Sequence, residues 1–473
     1  MPDGPVEMVA LRSNASGTAS VRHWIRRVLG LDQAVGFTVL ARFWASAAGL
    51  VTVSLIARFL SPAEQGYYYT FGSLVALQIV FELGFSFVIL QLASHERAEL
   101  SISGDYEISG APVAHARLAS VIQKSVRWYS VAAILMAAIL LPVGSYFFSR
   151  HQHVGETVAW QLPWYTAALM AALNFQIDPF LSFLEGCGYV PEVARLRFMQ
   201  SAVGSVLAWI VLMSHHGLFA PSMMLFGVAS TSVVWLSGKR RLLLGLLRHD
   251  PGTHRIRWNH EVWPFQWRIA VSWLSGYFLF WIFNPVLFAY RGPVEAGKMG
   301  MSLSLANAIQ AVAIAWVSTK SAPFGTLIAR KEYAGLDQAF FQALRQSFAV
   351  SLAGALTAWL GCITLNSLQF RFAQRLLDPF SLGILLLYMI VNVVIFAEAS
   401  YLRAHKQEVL FVNSVVGAVA VTACTFIFGR YYGATGIVVS CCLLNFGGLV
   451  WATYKFRKYR RLWHGPREQY PPS

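Results

Sequence analysis

Charged side chains are scarce in this sequence. Only 12% of its 473 residues are Asp, Glu, Lys or Arg, whereas 56% are hydrophobic; soluble chains are about a quarter charged. No polar stretch is long enough to enclose a core of its own, which argues against a separate soluble domain. Apolar runs of about twenty residues recur instead, and a helix of that length crosses the ~30 Å hydrocarbon core of a bilayer. The sequence therefore predicts an all-α polytopic membrane protein.

Cysteine is also rare, and it is not arranged for metal binding. The five cysteines lie in or beside apolar runs without Cys-x-x-Cys spacing, so neither a zinc site nor a disulfide framework is expected. An ATP-binding loop is missing as well. The stretch from Gly292 comes close to G-x-x-x-x-G-K-[ST], but Met299 replaces the hydroxyl that would hold magnesium. We expect no metal site and no cofactor, apart from a coupling proton or sodium ion discussed below.

The N-terminal segment lacks a compact apolar region followed by a small-residue cleavage site, so it does not predict a cleavable signal. In its stretch SVRHWIRRVLGL, residues 20–31, the apolar side chains share one helical face and the arginines lie largely on the other. That pattern predicts a helix lying in the membrane interface. The alternative is a basic tail that only follows the rules of membrane topology.

Apolar runs set against charged breaks predict twelve membrane-spanning helices. Their approximate limits are 37–57, 67–93, 127–148, 159–184, 194–213, 217–237, 263–289, 299–318, 347–366, 380–402, 408–429 and 433–454. Pro179 in the fourth span and Pro285 in the seventh each remove a backbone hydrogen bond, which predicts a kink or break there.

The distribution of Lys and Arg predicts the orientation of these spans. With the N-terminus on one side, 28 basic residues fall on that side, 7 on the other and 2 within spans, which accounts for all 37. We call the two sides the basic-rich face and the basic-poor face. Basic residues favour the cytoplasmic side, so both termini are expected in the cytoplasm. The net charge of +15 then reflects topology and contact with anionic lipid, and nucleic-acid binding is not expected.

The two halves of the chain repeat each other. Pro62–Gly66 and Pro293–Gly297 both read Pro-x-Glu-x-Gly at an offset of 231 residues, and the block from Gly217 matches the block from Gly433 at an offset of 216. Six spans in each half give both halves the same orientation, which predicts two parallel-repeat six-helix lobes around a central cavity. The predicted units are a basic cytoplasmic tail with the interfacial helix at 1–36, a first lobe at 37–237, a cytoplasmic linker at 238–262, a second lobe at 263–456 and a basic cytoplasmic tail at 457–473.

Two regions carry a family resemblance. The stretch Arg58–Tyr68, followed by Glu82–Phe85, resembles the opening of polysaccharide-export proteins, which are O-antigen-type lipid-linked oligosaccharide flippases of the multidrug/oligosaccharidyl-lipid/polysaccharide (MOP) exporter superfamily. The block Gly433–Trp451, after Arg403–Lys406, is similar to the last two helices of that family. That family commonly has Asp where Glu82 stands, and the middle of the chain matches it only in hydrophobicity.

This resemblance implies a function. Two six-helix lobes would form an inward- or outward-facing V around a cationic cavity, which passes a sugar-pyrophosphate head group while the polyprenyl tail stays in lipid. Transport would proceed by alternating access in the bacterial inner membrane, without chemistry on the substrate. The implied partners are the lipid-linked oligosaccharide and membrane lipids, together with a polysaccharide polymerase and glycosyltransferases.

Arginines inside the spans are candidates for binding the substrate. Arg42 and Arg268 each lie several residues into the first span of their half, roughly 8–10 Å from the cytoplasmic edge at 1.5 Å per residue. A guanidinium can hold a phosphate through two parallel hydrogen bonds, so one arginine from each lobe could hold a pyrophosphate. The alternative is that both side chains extend to cytoplasmic water. Arg58 and Arg291, near the far ends of the same helices, are either an exit ring or ordinary interfacial residues.

Acids within the spans are candidates for coupling or gating, because a charge at the bilayer centre is costly. Glu82 lies at a depth where it could pair with Arg42, and Asp178 stands beside a proline in the fourth span. They are expected to neutralise an arginine, to gate the cleft through ion pairs, or to carry the coupling proton or sodium ion. Glu398, close to the interface and to Arg403, is expected to be an ordinary interfacial acid.

Two other functions fit less well. An ion-coupled multidrug or metabolite exporter of the same superfamily would share the fold, but two cationic residues in the cavity favour an anionic substrate. The Gly and Asp-Arg signature of the major facilitator class is missing between the second and third spans. A membrane glycosyltransferase or polymerase would need an acidic pair or a sizeable outer domain, and the basic-poor loops are short and carry no Asp-x-Asp or Glu-x-Asp. We therefore do not expect an enzyme.

Overall fold

The fold is that of a computed structural model, which describes residues 33–103, 108–152, 158–405, 407 and 409–464. The interfacial helix predicted at 20–31 and the tail beyond residue 464 lie outside these residues.

Helices make up nearly all of the first half. They are α1 Gln33–Phe59, α2 Pro62–Val75, α3 Gln78–Glu82, α4 Phe85–Arg97, α5 Pro112–Arg150, α6 Gln161–Gly186, α7 Val190–Met213, α8 Ala220–Gly238 and α9 Arg240–Arg248. A short 3₁₀ turn, Gly217–Phe219, precedes α8. The polar segment after α4 also contains two short strands that pair antiparallel, β1 Leu100–Ile102 and β2 Ile108–Gly110, which the sequence did not predict.

The second half is helical in the same way. After a π-helical turn at Trp258–Val262, its helices are α10 Trp263–Phe280, α11 Phe283–Arg291, α12 Pro293–Ser318, α13 Ser321–Ala329, α14 Tyr333–Ser367, α15 Pro379–Ala404 and α16 Phe411–His464. A 3₁₀ turn at Ala373–Arg375 lies in the loop before α15.

Eight helices of the described residues are long and apolar enough to cross a membrane, and a bent pair from Pro62 to Arg97 raises the number to nine. A shorter apolar helix, Phe43–Phe59, lies within α1. Helix α16 is 54 residues long and is interrupted at Gly433, where φ is 63° and ψ is −146°, so it contains the last two predicted spans. Apart from the two short strands, the predicted helical polytopic fold is confirmed. The count of twelve spans stays a prediction.

Breaks within spans follow the sequence only in part. The seventh predicted span is interrupted between α10 and α11, just before Pro285, as the proline predicts. Helix α6 continues through Pro179, so the fourth span is not broken there. The second span is bent by 45° at Leu83 and Gly84, which both adopt left-handed backbone conformations (φ 51° and 67°). That conformation costs a non-glycine residue about 1–2 kcal/mol, so the break at Leu83 is maintained by the surrounding packing.

Small residues allow the helices to approach closely. In the first half, α1 packs on α7 and α7 packs on α8. A Cβ atom added to Gly227 would lie 2.7 Å from the Gly204 Cα atom, which shows how near the α7 and α8 backbones come. In the second half α15 packs on α16 and α12 on α14, while α2 and α12 form the main contact between the halves.

The segment predicted as a linker is packed on the first half. Helix α9 buries Leu242, Leu243 and Leu246 against the core that includes α5. The Gln123 side-chain amide donates to the carbonyls of Leu246 (3.0 Å) and His249 (2.7 Å), which satisfies the end of α9. The linker is therefore ordered along much of its length.

An arginine on the basic-rich face joins the end of this linker to the first half. Arg117 donates to Glu96 at 2.8 Å and to Glu261 at 2.6 Å. Glu261 immediately precedes the first long helix of the second half. The start of α10 is thereby tied to α4 and α5.

Candidate functional site

The two Pro-x-Glu-x-Gly motifs lie against each other. Each begins a helix with proline in its first turn, α2 at Pro62 and α12 at Pro293. A Cβ atom added to Gly66 would collide with the Pro293 carbonyl, and one added to Gly297 would lie 2.9 Å from the Gly66 nitrogen. The repeated motif is therefore a backbone-to-backbone contact between the halves, which only glycine permits.

The glutamates of the two motifs have different roles. Glu64 forms a capping box with Ser61, in which each side chain accepts a hydrogen bond from the backbone N–H group of the other residue. The residue that corresponds to Ser61 in the second half is Gly292, which has no side chain to cap the helix. Glu295 instead accepts a 2.6 Å hydrogen bond from the N–H of Ala434, next to the interruption at Gly433. The sequence repeats, but the hydrogen bonds do not.

We call the contact between the two halves along these motifs the seam. Gln65 and Arg375 add hydrogen bonds to it. The Gln65 amide donates to the carbonyls of Gly297 (2.8 Å) and Arg375 (3.0 Å), and its side chain is 1% exposed. Arg375 donates to the Leu60 carbonyl at 2.6 Å and to the Gln65 side-chain oxygen at 3.4 Å. We call Gln65 and Arg375 the seam lock. Sequence reasoning missed both residues, because each lies at a predicted loop or helix end where polar side chains are common.

The seam continues along α2 beyond the seam lock, towards Ser73. The Tyr277 hydroxyl donates to the Ser73 carbonyl and the Asn284 amide to the Ser73 hydroxyl, both at 3.2 Å. Ser73 lies eleven residues beyond Pro62, which is roughly 16 Å along a helix. The halves are thus in contact from the basic-poor face to about the middle of a bilayer.

The structure brings Glu82 and Asp178 together. Glu82 ends α3 at the break and accepts a hydrogen bond from the Ser86 hydroxyl. The Asp178 and Glu82 carboxyls are near enough to interact electrostatically with each other and with the buried Tyr129. Two half-buried acids and a buried phenol therefore lie in one region of the first half, beside an interrupted helix.

The amides near Asp178 are partly engaged in packing. Asn174 donates to the Leu225 carbonyl at 2.9 Å and thereby joins α6 to α8. Gln176 donates to the Ser130 hydroxyl at 3.0 Å, while its carbonyl oxygen is buried with no partner in the described part of the chain.

The predicted arginines divide into two groups. The backbones of Arg42 and Arg268 lie in α1 and α10, but their side chains are outside the described part of the structure, so their role in substrate binding and the pairing of Arg42 with Glu82 stay predictions. Arg291 donates to the Tyr431 carbonyl at 2.5 Å, and the Arg58 guanidinium lies 5.5 Å from the centre of the Phe59 ring. The exit ring of Arg58 and Arg291 stays a prediction too.

Glu398, which the sequence predicts to be an ordinary interfacial acid, is buried. Its side chain is buried in α15, where it accepts a 2.8 Å hydrogen bond from the Thr453 hydroxyl of α16. The second carboxyl oxygen has no partner among the residues that the structure describes.

Comparison with known proteins finds similarity of fold. No protein-family profile and no curated protein matches the chain. An inward-facing multidrug resistance MATE family transporter of the MOP superfamily aligns with a TM-score of 0.56 at 14% identity, over 95% of this chain and 99% of that one. The lipid II flippase MurJ, in an inward closed conformation, aligns with a TM-score of 0.60 at 14% identity, over 89% of each chain. An outward-facing MATE transporter aligns with a TM-score of 0.53 at 13% identity, over 92% of this chain and 96% of that one.

These alignments extend over nearly the whole chain. The protein shares the fold of these solved transporter structures, which confirms the fold class expected from the sequence.

Proposed function

We propose that the protein is a flippase that moves a polyprenyl-pyrophosphate-linked oligosaccharide, the repeat unit of a cell-surface polysaccharide, across the bacterial inner membrane by alternating access. The observation that carries the proposal is the seam, where two repeated helix starts meet at one face of a transporter fold. The seam combines the glycine contacts and hydrogen bonds with ring packing of Tyr67 on Phe288, whose centres are 4.8 Å apart. Packed interfaces of this kind can separate and re-form when domains move as rigid bodies. A cleft between the halves is then sealed at the basic-poor face and receives substrate from the basic-rich face.

In this proposal Arg42 and Arg268 bind the pyrophosphate. They occupy the first long helix of each half, α1 and α10. Two guanidinium groups would hold the diphosphate by paired hydrogen bonds until the halves separate at the seam lock. The lipid tail remains in the bilayer, so only the polar head group has to cross.

Glu82 and Asp178 supply the coupling in the same proposal. Two neighbouring carboxyls in a buried region cannot both stay charged cheaply, so they bind a proton or a sodium ion. The break at Leu83 and Gly84 connects that event to the shape of the second span. The α2–α3 part of this span packs on α12 and α10 of the second half, whereas the α4 part packs mainly on α5 and α6 of its own half.

The proposed setting follows from the charge distribution. Both termini would lie in the cytoplasm, since the basic-rich face carries 28 of the 37 Lys and Arg residues. Anionic lipid would contact that face. The glycan would be supplied by glycosyltransferases on the cytoplasmic side and handed to a polymerase on the other.

The second candidate is an ion-coupled exporter of drugs or metabolites. It is favoured by the similarity of fold to multidrug resistance transporters of the MATE family. The same seam and the same acids would serve, but the substrate would be a cationic or neutral small molecule.

Reconstitution in proteoliposomes separates the two candidates. The probe is a polyprenyl-pyrophosphate oligosaccharide with a fluorophore on its sugar, quenched from outside by a membrane-impermeant reductant. If the protein is a flippase, quenching should exceed the half of the probe that lies in the outer leaflet. Arg42→Ala and Arg268→Ala should each slow this additional quenching at least about tenfold, which corresponds to the loss of one or more charge-assisted hydrogen bonds. Arg371→Ala, at an exposed loop position, is the matched control.

Lysine at either position should restore part of the rate if charge alone matters, and little of it if paired hydrogen bonds matter. Full activity of the double variant Arg42→Ala/Arg268→Ala would overturn the cationic cavity. Transport of a cationic dye without any movement of the lipid probe would support the exporter instead.

A further inference from the structure

We propose that His405 and His464 form a proton-operated latch, which holds the end of α16 on α15 at the basic-rich face and opens when both rings become charged. The latch is independent of the substrate. It regulates the transporter of the preceding section, and in that respect it rests on the proposed function.

The two rings meet directly. The His405 Nε2 and His464 Nε2 atoms are 3.1 Å apart, which is a hydrogen-bond distance and requires that one nitrogen donates and the other accepts. The His405 Nδ1 atom lies 3.2 Å from the Tyr401 carbonyl, so it can donate there and leave its Nε2 as the acceptor. Two charged rings would place two donors against each other, and the contact would be lost.

Stacked rings hold the pair in place. Trp463 stacks on His405 with ring centres 4.2 Å apart, and Tyr333 stacks on His464 at 4.1 Å. The His464 Nδ1 atom lies 3.3 Å from the Tyr401 hydroxyl. The pair therefore joins three helices, α14 through Tyr333, α15 through His405 and α16 through His464.

Charged groups around the pair come from two of these helices. Asp337 of α14 accepts a bidentate hydrogen bond from Arg460 of α16, with distances of 2.6–3.1 Å, and another from the Tyr401 hydroxyl of α15 at 2.8 Å. Burial acts to raise the pKa of the Asp337 carboxyl, but the bonds from Arg460 and Tyr401 outweigh it and lower that pKa. Asp337 therefore stays charged throughout the range in which histidine titrates.

The sign of the pH effect follows from the two histidines. Burial lowers the pKa of His405, with opposing contributions from the Tyr401 carbonyl and Asp337, and burial also lowers the pKa of His464 against the pull of Asp337. A ring whose pKa is lower in the folded state binds more protons when the latch opens. The latch therefore contributes its full stability above about pH 6.5, the ordinary pKa of histidine, and loses it as the pH falls below that value and through the lower pKa values of the closed latch.

A basic tract of α16 lies next to the latch, and opening of the latch is expected to affect how this tract is held. Helix α16 carries five Lys and Arg residues between Lys455 and Arg461, in the stretch KFRKYRR. While the latch is closed this tract is held beside α14 by the Arg460–Asp337 pair. Loss of the latch removes the next support along the helix, and acidification is expected to loosen the end of α16 from the bundle.

The test uses the full-length protein in lipid nanodiscs with a metal chelator present. Thermal unfolding is followed at several values from about pH 7.5 to about pH 5.5, on either side of the histidine range. His405→Gln and His464→Gln keep a hydrogen-bonding group that cannot take up a proton. Each is expected to reduce the acid-induced fall in Tm by about half or more, because one fewer ring can be charged. His254→Gln, at an exposed position, should behave like the wild type.

A second measurement locates the change. Hydrogen exchange of the peptide over residues 455–464, corrected for intrinsic rate, should rise in acid in the wild type and rise less in the Gln variants. Neither readout needs transport, so the latch can fail while the flippase proposal stands, and the reverse also holds.

If Tm and the hydrogen exchange of residues 455–464 changed with pH in the Gln variants as they do in the wild type, the latch proposal would be wrong. It would also be wrong if a difference between wild type and variants disappeared in chelator and returned with added zinc, because the rings would then be metal ligands rather than a proton-sharing pair.

Discussion

Gln65 and Arg375 are bonded to each other across 310 positions of the chain: the Gln65 amide donates to the Arg375 carbonyl at 3.0 Å, and the Arg375 guanidinium donates to the Gln65 side-chain oxygen at 3.4 Å. The first residue belongs to the second span of the first half and the second to the loop before α15. The counterpart of Gln65 in the repeated motif is Ala296, which is buried but has no polar side chain. The second motif therefore has no equivalent of the Gln65 hydrogen bonds.

Replacement of Gln65 by Leu, which has a similar volume, should favour separation of the halves. The amide bonds to Gly297 and Arg375 would be lost, and Arg375→Ala should do the same by removing its 2.6 Å bond to the Leu60 carbonyl. A hydrogen bond from a charged group contributes about 1.5–3 kcal/mol, so the ratio of closed to open seam should fall at least about tenfold. Spin-label distances between α2 and α12 at the basic-poor face would measure it.

The two substitutions should also be non-additive, because the residues share their bonds. Arg371→Ala in the same loop is the control. An unchanged distance distribution in both seam-lock variants would contradict the role assigned to them.

Addition of one methyl group at Gly66 should force the seam apart. In Gly66→Ala the new Cβ atom would collide with the Pro293 carbonyl, which is backbone and cannot rotate away. Overpacking of this kind costs about 1–3 kcal/mol. We expect a lower Tm and a basic-poor face that is more accessible to membrane-impermeant thiol reagents at a nearby introduced cysteine.

Gly72→Ala is the matched control for Gly66→Ala. It lies on the same helix, and nothing stands within 4 Å of a Cβ atom there. It should be neutral or stabilising by up to about 1 kcal/mol, because alanine restricts the unfolded chain. Equal effects of Gly66→Ala and Gly72→Ala would mean that the backbone contact with Pro293 does not determine the effect of a side chain at position 66.

The glutamates of the two motifs should differ in importance. In Glu295→Ala the buried N–H of Ala434 loses its acceptor, which costs about 1–3 kcal/mol. In Glu64→Ala the exposed N–H of Ser61 can bond to water, so the cost should lie near 0.5 kcal/mol, at the low end for helix caps. Thermal unfolding of both variants measures the difference. A larger loss of stability in Glu64→Ala than in Glu295→Ala would contradict the different roles assigned to the two glutamates.

Neutralisation of the paired acids should uncouple transport rather than abolish folding. Glu82→Gln and Asp178→Asn keep the shape of each side chain but cannot exchange a proton or bind sodium well. We expect transport in proteoliposomes to lose its response to an imposed proton or sodium gradient, whichever drives the wild type, at unchanged Tm. Glu185→Gln is the control, since this acid is paired with Arg197 on the basic-rich face. Retained gradient dependence in both variants would remove the coupling role.

Parts of the candidate site could be read from the sequence because they violate a local rule. A carboxyl inside an apolar run is rare and costly, so Glu82 and Asp178 attract attention without any structure. The seam lock has no such signal, since a glutamine near a helix start and an arginine in a loop are ordinary residues. The break at Leu83 was equally hidden, because leucine favours the helix and only the packing around it imposes the left-handed backbone.

The sequence alone determined the membrane-spanning helical fold, the basic bias and the repeat of two halves. These depend on hydrophobic length, on charge counts and on local motifs, which are properties of short segments. The tertiary structure alone decided that the repeated motifs touch, that Glu64 and Glu295 have different partners, and that Gln65 fastens the seam. Those facts join residues that are hundreds of positions apart, and the energy of such contacts depends on how whole helices pack rather than on the residues beside them in the chain.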